Sequence, residues 1–472
     1  MTGAEANNRI WLGTGATGVR WSLIGAILLG AGAGAAYYVG AVKITFALGM
    51  TAVMIVAVCW PVVPTLATFL LAGAGGSFAG HWIAPGVTLP VFELLLAAAA
   101  LGSVVWLLRA WDDRSRVGTL LALLWLPAAV YALALVVFLN QRDFIAGARE
   151  AILLGYPLLI ALPLAFVSPM KLRRFVDDHA WKLVAIVAAA AVVTGIVFYA
   201  IGNTIQTSTG QLRTLGGDYM APAGAAVLVA AWLAVYRKRY VVAIGLAALG
   251  IVALLMINHR SAYLGLILAL IAFAATGPLP SMIRARPKTA MRVAAVLAVT
   301  VAVVLAATPL GRDGVARLGG LFDSNDVNYS FREQAMKRAL SKDDAGEVIL
   351  GKGVGLQPTY LDVPLAFDMA GALANPLRLE PHNSWVTIYQ RAGVIGLILI
   401  LVPLGYVVWK MIRARRDELV ALLLSFLVFM GTLATFNVVL ENSFVGVWFW
   451  LPLFVGAVLA LDRGSASPAT TP

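Results

Sequence analysis

Four short polar segments interrupt an otherwise apolar chain. They are Asn140-Gln141-Arg142-Asp143, Gln211-Leu212-Arg213-Thr214, Asn258-His259-Arg260-Ser261 and Glu380-Pro381-His382-Asn383-Ser384-Trp385. Three of them carry an arginine, and a guanidinium makes planar, two-pronged contacts to phosphate oxygens. Arg142, Arg213 and Arg260 together have enough donors to hold a diphosphate. The fourth carries His382 just before an apolar run. An imidazole titrates near neutral pH and serves as a general base. Asn383 or Ser384 is expected to cap the helix that follows, which would fix the backbone beside His382.

Plainer readings stand beside these. Arg260 at a helix end also fits a headgroup anchor, since a long cation near the bilayer edge reaches water by snorkelling. Arg213 lies in a stretch, 202–218, polar enough for a solvated loop. Of the other histidines, His81 next to Trp82 reads as an interfacial pair, and His179 falls on the opposite side from the four segments. The acidic pairs Asp112-Asp113 and Asp177-Asp178 lie among basic residues and read as solvated charge. Gly351-Lys352-Gly353-Val354-Gly355 lacks the spacing of a phosphate-binding P-loop. A single cysteine, Cys59, excludes an internal disulfide and a cysteine-based metal site. Nothing in these residues argues for a bound metal or cofactor.

The chain that must position these groups has 472 residues, 61% hydrophobic and only 12% charged. A soluble domain carries roughly 25% charged residues, so an ordinary water-soluble enzyme is excluded. A disordered chain, which is poor in apolar residues, is excluded too. The net charge of +12 is read as membrane topology and anion binding, with no nucleic-acid partner. No charged residue occurs between Lys43 and Glu93, and similar runs recur to the end. Helices are expected near 18–40, 42–58, 61–77, 88–109, 117–139, 150–168, 181–201, 220–236, 240–256, 261–278, 291–308, 387–409, 418–437 and 444–461. That is an all-α polytopic integral membrane protein with about 12–14 spans. The pair at 42–58 and 61–77 is the weakest, because Pro61 and Pro64 punctuate it. The first apolar run reads as a span and not as a cleaved signal.

Charge sets the orientation. With both termini in the cytoplasm, 21 basic residues fall in inside segments and five in the short outside ones. The four polar segments then face outward. So does a long loop, 308–384, which separates a helix bundle (1–307) from the last spans (385–462); a polar tail (463–472) is expected to be disordered. The loop reads as partly helical. Ser330-Phe331-Arg332-Glu333 fits a capping box, and Phe331, Ala335, Met336 and Leu340 recur at helical spacing. That helix would bring Arg332, Lys337 and Arg338 toward phosphates. The apolar stretch 361–377 would lie on the membrane or roof a cavity.

In combination these pieces resemble the bacterial O-antigen ligases, relatives of the O-antigen polymerases and protein O-oligosaccharyltransferases. The resemblance covers about 255–460. It rests on Asn258-His259-Arg260-Ser261-Ala262 at a helix start and on Phe331-Arg332-Glu333 leading to Leu350-Gly351-Lys352-Gly353-Val354-Gly355. Pro381-His382-Asn383-Ser384-Trp385 follows, ahead of Arg391-Ala392-Gly393-Val394-Ile395-Gly396. The last piece is Leu440-Glu441-Asn442-Ser443 with Trp448-Phe449-Trp450. The resemblance implies a GT-C-like membrane glycosyltransferase of the bacterial inner membrane, with its active site on the periplasmic face. Its donor would be a glycan on undecaprenyl diphosphate and its acceptor a sugar hydroxyl of lipid A–core, with no metal. His382 and Arg260 would be catalytic. Arg142, Arg213, Arg332, Arg338 and Asn383 would bind substrate. A polymerase and a lipid-linked glycan flippase are the alternatives.

Overall fold

The computed structural model describes residues 26–29, 33, 42–84, 87–109, 116–141, 144–165, 167–202, 205–206, 212–276, 335–337, 339–341, 344–356, 383–437, 439–441 and 443–462. Long apolar runs can satisfy every backbone group within lipid only as helices, and the described chain is almost entirely helical. In chain order the helices are α1 (Val42–Cys59), α2 (Val62–Gly80), α3 (Val91–Arg109), α4 (Arg116–Phe138), α5 (Phe144–Leu164), α6 (Pro169–Ala200) and α7 (Gly217–Arg237). They continue as α8 (Tyr240–Ile257), α9 (Arg260–Ala275), the short α10 (Ala345–Leu350), α11 (Ser384–Arg413), α12 (Glu418–Phe436) and α13 (Ser443–Asp462). Two small antiparallel hairpins, His81–Ala84 with Val87–Pro90 and Ile205–Gln206 with Leu212–Arg213, join neighbouring helices.

Among the described residues, eight helices are long and apolar enough to cross a membrane, and four shorter apolar ones accompany them. These twelve coincide with twelve of the fourteen expected spans, including the doubtful pair at 42–58 and 61–77. Nearly all of the span at 18–40 and the whole of that at 291–308 lie outside the described residues. The described residues thus form a nearly all-helical, multi-pass membrane protein.

The last helices are not an appendage. In α13, 94% of the membrane-length window is buried, against 28% in α6. α13 packs on α2, α5, α11 and α12, while α9 lies along α12 and α7 along α8. Aromatic rings hold this centre: Trp448 stacks on Phe69 with centroids 3.9 Å apart, and Trp450 meets Trp125 at 5.0 Å. Outward faces are apolar. On α4, Leu123, Leu126, Val130, Leu133 and Val137 recur at helical spacing and are exposed, the pattern of a face turned to lipid.

Candidate functional site

The polar segments gather at one end of the helices. Asn258 ends α8 in the left-handed conformation at φ 46°. This turns the chain at once into α9, with His259 as N-cap and Arg260 as first residue. Asparagine is the non-glycine residue best suited to that conformation. The Ile205–Arg213 hairpin lies against the same corner, because the N–H groups of Thr214 and Leu215 donate to Met256 O at 3.1 and 3.4 Å. Arg213 and Arg260 therefore belong to adjoining corners. The solvated-loop reading of 202–218 fails toward its downstream end, where Thr214 and Leu215 are buried.

Asn383 caps α11 as expected: its Oδ1 accepts from the N–H groups of Trp385 and Val386 at 3.0 and 3.2 Å. Its side-chain oxygen thus serves the helix. Ser384, the next residue, is fully buried. Its Oγ accepts the N–H groups of Val439 and Leu440, each at 3.0 Å, and donates to Glu441 Oε2. One hydroxyl so ties the start of α11 to the turn between α12 and α13. The other half of the tie is Asn437. Its Nδ2 donates to Ser261 Oγ at 2.7 Å, and that oxygen lies 2.8 Å from His259 Nδ1. Polar contacts therefore run from the Arg260 corner through Ser261 and Asn437 to Ser384 and Glu441. In this dry setting each unpaired group would cost about 1–3 kcal/mol.

Glu441 is the acidic member. Burial pushes its pKa up, opposed by hydrogen bonds from Ser384 and Thr387 and by the charge of Arg391. Its Oε2 takes the Ser384 bond, while Oε1 is buried without a hydrogen-bond partner. A carboxyl in such a place favours its neutral form.

A second cluster fixes the Gly-rich segment that follows α10. Tyr131 Oη donates to the carbonyls of Leu350 and Ala392 at 3.1 and 3.2 Å. Lys352 N donates to Gln390 O at 2.7 Å, Gly353 N to Arg391 O at 3.1 Å, and Gly355 N to Glu150 Oε2 at 2.8 Å. Glu150 in turn lies 3.6 Å from Arg391 Nε, both side chains only 13% exposed. The Gly-rich motif is thus a backbone clasp and not a simple turn. Gly353 has φ 87°, and a Cβ there would meet Leu139 O at 2.2 Å; Gly393 breaks α11 at φ 61°, and a Cβ there would meet Ile349 O at 2.2 Å. Only glycine fits such positive-φ, close-approach positions.

Of the residues singled out in the sequence, Arg213, Arg260 and Asn383 are placed at this end. Arg142, Arg332, Arg338 and His382 lie outside the described residues, as does 361–377. The sequence reading did not single out Ser261, Ser384, Arg391, Asn437, Glu441, Glu150 or Tyr131 as functional residues. Ser261 and Glu441 stood inside quoted segments, Glu441 as a lone carboxylate between two long apolar runs, without a role assigned to either; Asn437 gave no signal. At the opposite end, Asp177 is paired with Arg237 and only Asp178 is exposed, so the solvated reading fits one of the two. Among the described residues no group of His, Cys, Asp and Glu is arranged to hold a metal. No family model and no curated protein matches the chain.

Proposed function

We propose that this chain is a membrane glycosyltransferase of the O-antigen ligase type. It would transfer a glycan from undecaprenyl diphosphate to a sugar hydroxyl of lipid A–core at the periplasmic face of a bacterial inner membrane. The observation that carries the reading is the polar connection His259–Ser261–Asn437 to Ser384–Glu441. It joins the corner that bears Arg260 to the helix start that follows His382. These are the two segments in which the resemblance places the diphosphate-binding and base groups.

The chemistry follows from the residue types. A diphosphate is a good leaving group and needs charge stabilisation more than a proton. Arg260, with Arg213 on the adjoining corner, supplies fixed positive charge where the leaving oxygens develop theirs. Arg142, Arg332 and Arg338 are assigned to the same substrate's phosphates. A sugar hydroxyl is a weak nucleophile, and His382 removes its proton as it attacks. Attack at the anomeric carbon opposite the diphosphate inverts that centre in one displacement. The fold is of the GT-C kind in this reading, and the loop 308–384 faces the periplasm.

The test is a transfer assay with the purified chain in lipid, undecaprenyl-diphosphate glycan and lipid A–core, without nucleotide or metal. Lipid A–core that gains the whole glycan supports the ligase, and Arg260→Ala should then raise the donor concentration needed. A donor that lengthens while the core stays unchanged makes the protein a polymerase. Donor binding with no transfer at all moves it to the flippase class.

A further inference from the structure

The end of the molecule away from Arg260 carries a shallow, open recess on one face of α6, lined by Lys171, Arg174, Phe175, Asp178 and His179. Beside it α6 widens to a π turn at Val176–Ala180. Such a bulge adds one residue to the turn and re-aims the side chains around it, and bulges of this kind recur at functional sites. The charges on this stretch are sorted. Arg173 turns away to Asp417 and Asp177 to Arg237. Lys171, Arg174 and His179 line the recess, with Asp178 the one acidic group among them. Arg174 and His179 are exposed, and the His179 ring rests edge-on against Phe175 with centroids 5.5 Å apart.

The same helix face continues along the span. Beyond Phe175 and His179, spacings of three, four and seven residues lead to Lys182, Ile186, Val193 and Val197. Ile186, Val193 and Val197 are 62, 59 and 47% exposed. In a bilayer that stripe is covered by acyl chains. A basic recess at the head of an apolar stripe matches a molecule with an anionic head and a hydrocarbon tail.

We propose that this recess is a binding site for an anionic phospholipid, its phosphate held by Lys171 and Arg174 and its acyl chain running along the same face of α6 toward Ile186. Basic groups near a membrane surface each favour an anionic headgroup modestly, and two of them together favour it by about thirtyfold. A free phosphate would use the same cations but gain nothing from the stripe. The site stands apart from the glycosyltransferase reading and does not depend on it.

The experiment uses the full chain, purified in detergent and exchanged with equimolar phosphatidylglycerol and phosphatidylcholine. Native mass spectrometry then counts the lipid retained. The expected result is one phosphatidylglycerol kept about thirtyfold over phosphatidylcholine, with the preference lost in K171Q/R174Q. Equal retention of the two lipids by the wild-type chain overturns the site, whatever the double variant does. So does inorganic phosphate that displaces the lipid at matched concentration, which would make the recess a simple anion site. An undiminished preference in a folded double variant overturns the assignment to these two residues.

Discussion

The two ends of the helix bundle handle polarity in opposite ways. At the end near α6 and α12, charges are paired across helices and, apart from the buried Asp417 that faces Arg173, stay partly wet. Arg237 bridges Asp177 and Glu418, with side chains 22–38% exposed. Cations there also rest on aromatic faces, Arg413 over Trp409 at 4.2 Å and Arg237 over Trp232 at 4.9 Å. At the end near Arg260 the linking groups are dry: Ser384, Ser261 and Asn437 are 0, 5 and 8% exposed. Wet pairs are individually worth little and can be exchanged. Dry, fully committed hydrogen bonds fix geometry, because any group that loses its partner has no water to turn to. The first end anchors the protein at an interface, and the second has the construction of a site.

The comparison breaks most sharply at His382. On the proposed mechanism, His382→Ala lowers glycan transfer by about 10²–10⁴-fold while the protein remains folded in the membrane. The check is the transfer assay with size-exclusion of the variant; near-normal turnover would remove the base assignment.

Ser384→Ala comes next. It strands the N–H groups of Val439 and Leu440 and removes the donor to Glu441. A loss of about 2–4 kcal/mol is expected from these stranded groups. Thermal unfolding in detergent would measure it, and a midpoint within a degree of the wild type would show that the dry network does not hold this end together.

Glu441→Gln sharpens the contrast through pH. A carboxyl whose pKa is raised by folding binds its proton more tightly in the native state. Its contribution is intact at acid pH. Stability then falls as pH rises from the ordinary carboxylate value, about 4.3, through the raised folded value. Glutamine keeps an acceptor for Ser384 without the ionisation. The variant should therefore match the wild type near pH 4 and exceed it at alkaline pH. A parallel pair of stability curves across that range would contradict the buried, neutral carboxyl.

The smallest effect belongs to the wet end. Arg237→Ala should cost about 1 kcal/mol or less, reduced further by salt. Unfolding at low and high ionic strength would test it, and a loss as large as that of Ser384→Ala would erase the distinction between the two ends.

Much of this was legible in the sequence, for local reasons. The charge-free runs at 117–141 and 240–258 fixed helices because lipid permits nothing else, and Asn383 before Ser384-Trp385 announced its cap through contacts two and three residues away. The left-handed break at Asn258 and the π turn at Val176–Ala180 left no comparable mark. Neither did the clasp at Val354, whose N–H donates to Leu139 O, more than two hundred residues distant. The reading of 202–218 as a loop was right about its polarity and missed that Thr214 and Leu215 dock on Met256.

By itself the sequence determined that the chain crosses a membrane many times, and that its arginines and histidines collect at helix ends. Both follow from hydrophobicity and charge summed over some twenty neighbouring residues. Tertiary structure alone decided which helix ends meet. Asn437 finds Ser261 across 176 residues, and Ser384 finds Glu441 across 57. Such pairings depend on how whole helices pack around the buried α13. No local pattern encodes them, because each partner alone is an ordinary polar residue next to an apolar run.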